Sequence, residues 1–316
     1  MNVKSNKGVF YYYKVYGLIV KSEVLLSELI EASDEEIKNI DVEVTYGIVR
    51  NHIEEFLDNG INYKLDKDKM WFVIEDVGYY YITKGKTIVV EPYKDADKAQ
   101  IKTFLLGSAF GYLLIQRDSI AIHGGTIIIN GKAIIFTGDT GAGKSTMTAA
   151  FREKGYFFMA DDVSVISRCK DGSYEIYPGY PQQKLCKDTI KNMGYNPDAF
   201  KMIDDDREKY VIPAKESFIN TPVELGGIIE LSINDGEEVE IFEVLGSEKL
   251  LTLMKNIYRI EVTRFTGISR KYLTQCLEVT KNISIYKIKR PKGINTIDEQ
   301  IDLVIEKLEN RKSKIV

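Results

Sequence analysis

Residues 133–145 read AIIFTGDTGAGKS. An apolar run leads into Gly138-Asp-Thr-Gly-Ala-Gly143-Lys144-Ser145, which fits GxxxxGK(S/T) at every fixed position. The glycines let the backbone curl until several N–H groups point at one centre. A helix starting near Gly143 adds the positive end of its dipole, and Lys144 adds a mobile charge for the β and γ phosphates. The Ser145 hydroxyl is placed to ligate Mg2+. Such a match can arise in an unrelated Gly-rich turn, so its setting decides. Here a β-rich run precedes it, and a helical stretch, residues 144–153, follows and is closed by Gly155.

Downstream, residues 157–162 read FFMADD, an apolar strand ending in two acids. One carboxylate can hold a metal and the other can take a proton from an attacking hydroxyl. Neighbouring strand residues point to opposite faces, so one of the two faces the phosphates unless the strand twists out there, and a capping or turn role for the other is the alternative. Upstream, residues 126–129 and 133–137 flank Asn130-Gly131, the strongest short hairpin signal. His123, in AIHGG (121–125), is one of two histidines in the chain; spacing alone makes it a core or turn residue. Residues 225–233 and 239–244 read as a second strand pair around Asp235-Gly236, and residues 248–257 and 298–308 as helices with one apolar stripe each.

The first hundred residues read as a small α+β module. Residues 8–20 and 70–92 are strand-like, and residues 22–32 and 46–57 helix-like. Tyr11, Tyr12, Tyr13 and Tyr16, then Tyr79, Tyr80 and Tyr81, are best read as cross-strand aromatic contacts, with a partner-gripping surface as the alternative. Ile101, Phe104, Leu105, Ser108, Ala109, Tyr112 and Ile115 fall at helical spacing. The polar break at residues 95–98 places a boundary near Lys94, giving modules 1–94 and 95–316.

Composition narrows the partners. A net charge of −4 advertises neither nucleic acid nor an anionic membrane. Cys169, Cys186 and Cys276 are odd in number and share no ligand spacing, which reads as free thiols in a reducing compartment. Residues 1–20 lack the plan of a signal peptide, and residues 101–115 fall short of the ~20 apolar residues needed to cross a bilayer. A cytoplasmic protein is the expectation.

The order His123-Gly, Asn130-Gly131 hairpin, GDTGAGKS and Ala160-Asp161-Asp162 resembles the catalytic domain of the HPr kinase/phosphorylase family, which uses an HG element, a hairpin, a GDSGxGKS loop and an ADD strand. Asp139 agrees with the family, and Thr140 replaces its usual Ser. The likeness is specific over residues 119–167. Beyond it, residues 177–181 with Lys184-Leu185, Arg207-Glu-Lys209-Tyr-Val211 and residues 286–291, and the N-terminal module, look like those of HPr-kinase-like proteins from peptide natural-product gene clusters. Some of these phosphorylate a serine at the C-terminus of a lasso precursor peptide.

The resemblance implies an α/β fold: an HPr-kinase-like P-loop domain, with a mixed sheet and a hairpin before the phosphate loop, preceded by the small α+β module. It implies ATP and Mg2+ as cofactors, and a serine-containing peptide or small protein as acceptor. Nucleotide would be held by Gly138, Asp139, Thr140, Gly141, Ala142, Gly143, Lys144, Ser145 and Thr146. Ser145 and Asp162 would hold the metal, Asp161 would be the general base, and His123 a phosphate-side or base-orienting partner. Lys184, Lys209, Arg259, Arg264 and Arg270 are candidates for a further cation, although each alone reads as a solvated surface charge. The Glu-x-Arg-Gly-like segment used for reverse phosphorolysis has no clear match, which counts against phosphorylase activity and against HPr as acceptor. HPr kinase assembles through this domain, so a homo-oligomer stays open. So do two other readings, a kinase of a small alcohol such as free serine and a non-catalytic nucleotide sensor.

Overall fold

The computed structural model describes residues 8–204 and 208–312. Arg207, part of one segment quoted above, and residues 1–7 of the N-terminal stretch lie outside them. The chain divides into two compact units: residues up to 119 with 259–269, and 120–258 with residues from 270 onward. The first division therefore falls after the helical stretch 98–116 rather than near Lys94. That stretch is fixed to the first unit's sheet, for example by the Tyr80 hydroxyl donating to the Ile101 carbonyl at 3.0 Å. No helix among the described residues is long and apolar enough to cross a membrane.

The first unit is built on an eight-stranded mixed sheet. Its tyrosine-rich strand Gly78–Thr83 pairs with Lys69–Ile74, and Phe72 stacks on Tyr80 with ring centroids 4.7 Å apart, as cross-strand aromatic pairing requires. Two expectations change here. Residues 22–32 are not helical: the Ser22 hydroxyl accepts from the Val24 amide at 3.0 Å, the Leu26 amide donates to the Tyr13 hydroxyl at 2.9 Å, and Val24, Leu26 and Leu29 are buried in an irregular loop. Residues 42–46 form a strand, so the next helix begins only at Arg50 (Arg50–Asp58), where the Glu91 carboxylate accepts from the Arg50 amide at 2.8 Å.

The second unit carries the phosphate-loop motif. Its main sheet runs Lys132–Gly138, Ile120–Ile129, Val163–Arg168, Tyr174–Tyr177, Val223–Asn234, Ser284–Pro291 and Glu240–Val244. Lys132–Gly138 also pairs in parallel with Val223–Asn234, so the first five strands close on themselves. The hairpin forms as expected, with Asn130 at φ 52° and Gly131 at φ 75°. The expected pairing of 225–233 with 239–244 does not form. Ser284–Pro291 lies between them, parallel to the first and antiparallel to the second. Its Ile285, Tyr286 and Ile288 are all buried. The helix Lys144–Glu153 packs Met147 and Phe151 into a core with Phe136, Phe158, Ile229 and Ile288.

The strand Ile120–Ile129 changes partners at its middle. Residues 124–129 pair with the loop strand, while on the opposite edge residues 126–128 pair with Phe157–Ala160 and residues 120–123 with Val163–Arg168. Thus Phe157–Ala160 and Val163–Arg168 are two parts of one edge, interrupted at Asp161-Asp162 opposite Gly124-Gly125. The backbones crowd at that point. A Cβ on Gly124 would lie 2.3 Å from the Phe136 carbonyl oxygen, and one on Gly125 would lie 3.0 Å from that of Asp161. The buried Ser164 hydroxyl donates to the Gly124 carbonyl at 2.8 Å and so satisfies it.

Gly124→Ala is therefore expected to destabilise the second unit by about 1–3 kcal/mol, because the obstructing atom is backbone and cannot swing aside. Gly107→Ala, where a Cβ meets nothing within 4 Å, is the control. Thermal melts of the two variants check this; equal melting temperatures would contradict the crowding.

Candidate functional site

Four backbone carbonyls of the loop are engaged by cations. The Lys144 ammonium donates to the Gly138 and Asp139 carbonyls at 2.9 and 3.1 Å. The Arg290 guanidinium donates to the Ala142 and Gly141 carbonyls at 3.2 and 3.4 Å. Gly143, at φ 106°, turns the chain into Lys144–Glu153, so the helix begins at the lysine of the motif. Ser145, its second residue, is half-buried. Thr146 is tied elsewhere, its hydroxyl lying 3.0 Å from that of Thr189.

Asp139 is anchored from outside the loop. Lys255 lies 2.9 Å from its carboxylate and 3.5 Å from Glu230. Glu230 is buried on the strand alongside the loop strand, in register with Thr137. Lys287, at 2.9 Å, and the Asn256 side-chain amide, at 3.1 Å, complete its shell. Burial alone would raise the Glu230 carboxyl, but these partners hold it below its ordinary value.

The strand break settles the facing of the two acids. Both carboxylates meet one residue, Lys184 of the strand Gln182–Cys186. Its backbone amide donates to Asp161 Oδ2 at 2.8 Å, and its ammonium lies 2.8 Å from Asp162 Oδ2. Asp161 Oδ1 is buried and has no hydrogen-bond partner. Burial, then the neighbouring Asp162 charge, pushes the Asp161 carboxyl up to about 7. Burial works the same way on Asp162, but Lys184, then Lys209 and His123, overcome it and hold that carboxyl well below the usual range. Lys184 is raised well above its ordinary value, since Asp162 outweighs its own desolvation. Burial lowers Lys144, and the charges of Asp162 and Lys209 are felt there too.

His123 stands next to the glycine pair. Its amide donates to the Asn256 carbonyl at 2.8 Å, its carbonyl accepts from the Thr137 hydroxyl at 2.8 Å, and its ring meets Tyr258 edge-on at 5.7 Å between centroids. Lys144, Asp161, Asp162, His123, Lys184 and Lys209 thus share one neighbourhood of the second unit. Arg259 and Arg264 belong to the first unit, where Arg259 donates to the Ser108 hydroxyl at 2.8 Å, and Arg270 opens the helix Arg270–Asn282. Sequence reasoning missed Lys255, Glu230 and Arg290. They lie more than a hundred positions from the loop residues they touch or on a strand added later in the sequence, and no motif marks them.

The residues present fit a triphosphate and a hard divalent cation. The donor set is oxygen only, a hydroxyl at Ser145 and a carboxylate at Asp162, and Asp161 Oδ1 is a buried acceptor still to be satisfied. No cluster of three or more His, Cys, Asp or Glu side chains among the described residues could hold a metal alone, so water, or phosphate oxygens when nucleotide is bound, would complete its shell.

No family model matches the chain, and no curated protein does. Among solved structures, the chain is similar to the HPr(Ser) kinase/phosphatase from Coxiella burnetii at 13% identity, over 62% of this chain and 97% of that one. The TM-score of 0.30 is too low to define a shared fold.

A carboxyl raised in the folded state keeps its proton there to a higher pH than in the unfolded chain. Its contribution to stability is therefore present below the ordinary value near 3.8 and is lost as pH climbs to about 7. Asp161→Asn is expected to melt above the parent protein at about pH 8, with the gap narrowing towards about pH 4.5. Melting curves across that range check it; a variant less stable at the alkaline end would contradict the burial of Asp161.

Proposed function

We propose that the chain is an ATP-dependent kinase that transfers the γ-phosphoryl group to a serine hydroxyl of a peptide or small protein. The observation that carries this reading is the state of Asp161. One oxygen is fixed by the Lys184 amide, and the other is buried without a partner beside a complete phosphate-loop motif. An acceptor hydroxyl is the group that would satisfy it.

In the proposed reaction the serine Oγ forms a bond to the γ-phosphorus as the bond to the bridging oxygen of the departing ADP breaks. The serine proton passes to Asp161 Oδ1. A carboxyl with its pKa near neutrality is matched to that task, since it is ionised at working pH yet basic enough to accept. Lys144 would leave the loop carbonyls for the β and γ phosphates, and Ser145 and Asp162 would hold Mg2+. Bound there, the metal ion offsets charge on the phosphoryl oxygens. His123, close enough to lower the Asp162 carboxyl, would steady that ligand. Arg290 and Lys255 would keep the loop shaped for the phosphates. The choice of a peptide acceptor rests on the sequence resemblance to kinases of peptide gene clusters.

Intact-mass measurement of peptides ending in serine, free serine and HPr, each incubated with Mg·ATP, tests the reading. A gain of one phosphoryl group on a peptide is expected. Gain on free serine alone would move the reading to a small-alcohol kinase, and nucleotide binding with no acceptor modified would favour a sensor. Lys144→Ala is expected to abolish turnover, by about a hundredfold or more, in a folded protein. Asp161→Asn is expected to bind ATP normally and lose about 10²–10⁴-fold in transfer. If Asp162→Asn shows that pattern instead, the two acids exchange roles. The rate should also climb as pH rises through about 7, as Asp161 ionises.

A further inference from the structure

Lys184 meets the two acids with two different parts of itself, and the two contacts differ in how easily they can be given up. The backbone contact is fixed. The preceding residue, Gln183, is fully buried; its amide nitrogen donates to the Thr148 hydroxyl at 2.7 Å and the Ser145 carbonyl at 3.2 Å, and its carbonyl oxygen accepts from Arg152 at 2.7 Å. That ties residues 183–184 to the helix that starts at Lys144, so the Lys184 amide stays on Asp161. The side chain is a flexible four-carbon stem with a compact ammonium that can be relocated without moving backbone. Its tip is held by the ion pair to Asp162 Oδ2 at 2.8 Å.

We propose that Lys184 is a placeholder cation: its ammonium occupies the metal-facing oxygen of Asp162 before nucleotide binds, gives it up to the divalent cation, and turns to the phosphoryl group being transferred. This rests on the kinase reading above, in which Asp162 is a metal ligand. An ammonium at contact distance on the Asp162 carboxylate opposes a divalent cation binding there, because like charges that close repel in a half-buried setting. Without the ammonium, two adjacent half-buried carboxylates would lose the cation that contacts Asp162 among the described residues. Lys184 therefore offsets the Asp162 charge in the unliganded site, and its departure couples metal entry to a cation gained at the phosphates. It is a positioning residue before binding and a phosphate ligand after it.

The first test reads metal affinity without acceptor or turnover. Free Mn2+ is titrated by electron paramagnetic resonance against the full chain, Lys184→Gln and Lys184→Arg. Lys184→Gln is expected to bind Mn2+ about tenfold more tightly than the parent, because one competing positive charge is gone, and to transfer phosphoryl about tenfold more slowly or worse. Lys184→Arg keeps the charge and should bind Mn2+ as the parent does. Unchanged or weaker Mn2+ binding by Lys184→Gln would overturn the placeholder role. A second measurement is made on the parent protein: in uniformly 15N-lysine-labelled chain, the ammonium signal of the Asp162-paired lysine, assigned by its loss in the folded, charge-conserving Lys184→Arg, should shift on adding Mg2+ with a non-hydrolysable ATP analogue. A signal that does not move would overturn the proposal as well. Failure of the parent to phosphorylate any acceptor would instead count against the kinase reading and leave the Mn2+ result standing on its own.

Discussion

Two carboxylates on consecutive residues, half-buried and close to one another, cannot both carry a charge without a counter-ion, and the second unit is organised around supplying one. Lys184 gives its amide to Asp161 and its ammonium to Asp162. The pair is thereby split into unlike halves, one carboxyl driven up by burial and its neighbour held down by cations. Pairs of titratable groups pushed apart in this way are how a single site comes to hold a base and an anionic ligand at the same pH.

That arrangement depends on a backbone event. In an uninterrupted strand Asp161 and Asp162 would point to opposite faces. Their edge is interrupted between Ala160 and Val163, where Gly124 and Gly125 bring the facing strand too close for any side chain. The loop on the other side of that strand is held with equal care: Arg290 on the carbonyls of Gly141 and Ala142, and Lys255 between Asp139 and the buried Glu230. Four of the loop's carbonyls are thus held by the Lys144 and Arg290 side chains.

The sequence made the local features legible. GDTGAGKS announced the strand-loop-helix, Asn130-Gly131 announced the hairpin, and the ADD ending marked the neighbouring edge, because each depends on residues within a few positions of one another. What it hid was set by distant pairing. Nothing in residues 225–244 reveals that Ser284–Pro291 will lie between the two strands there, and Val24, Leu26 and Leu29 look helical until Tyr13 and Ser22 take up the loop's hydrogen bonds. Lys184 ranked equally with Lys209, Arg259, Arg264 and Arg270 as a candidate cation, since only the fold puts its amide and its ammonium on neighbouring acids. His123 was recognised by resemblance, whereas the adjoining glycines carry the plainer physical signal, a close approach that excludes a Cβ.

In the proposed reaction the γ-phosphoryl group of a nucleotide held on the loop would face the unpartnered oxygen of Asp161. An experimentally determined structure of the chain with Mg2+ and a non-hydrolysable ATP analogue measures this directly. The account predicts the terminal phosphate between Lys144 and the two acids, with Asp161 Oδ1 turned towards it across a gap wide enough for one hydroxyl group. A terminal phosphate directed away from Asp161, or an Asp161 carboxylate that swings out to bind the metal in place of Asp162, would contradict it.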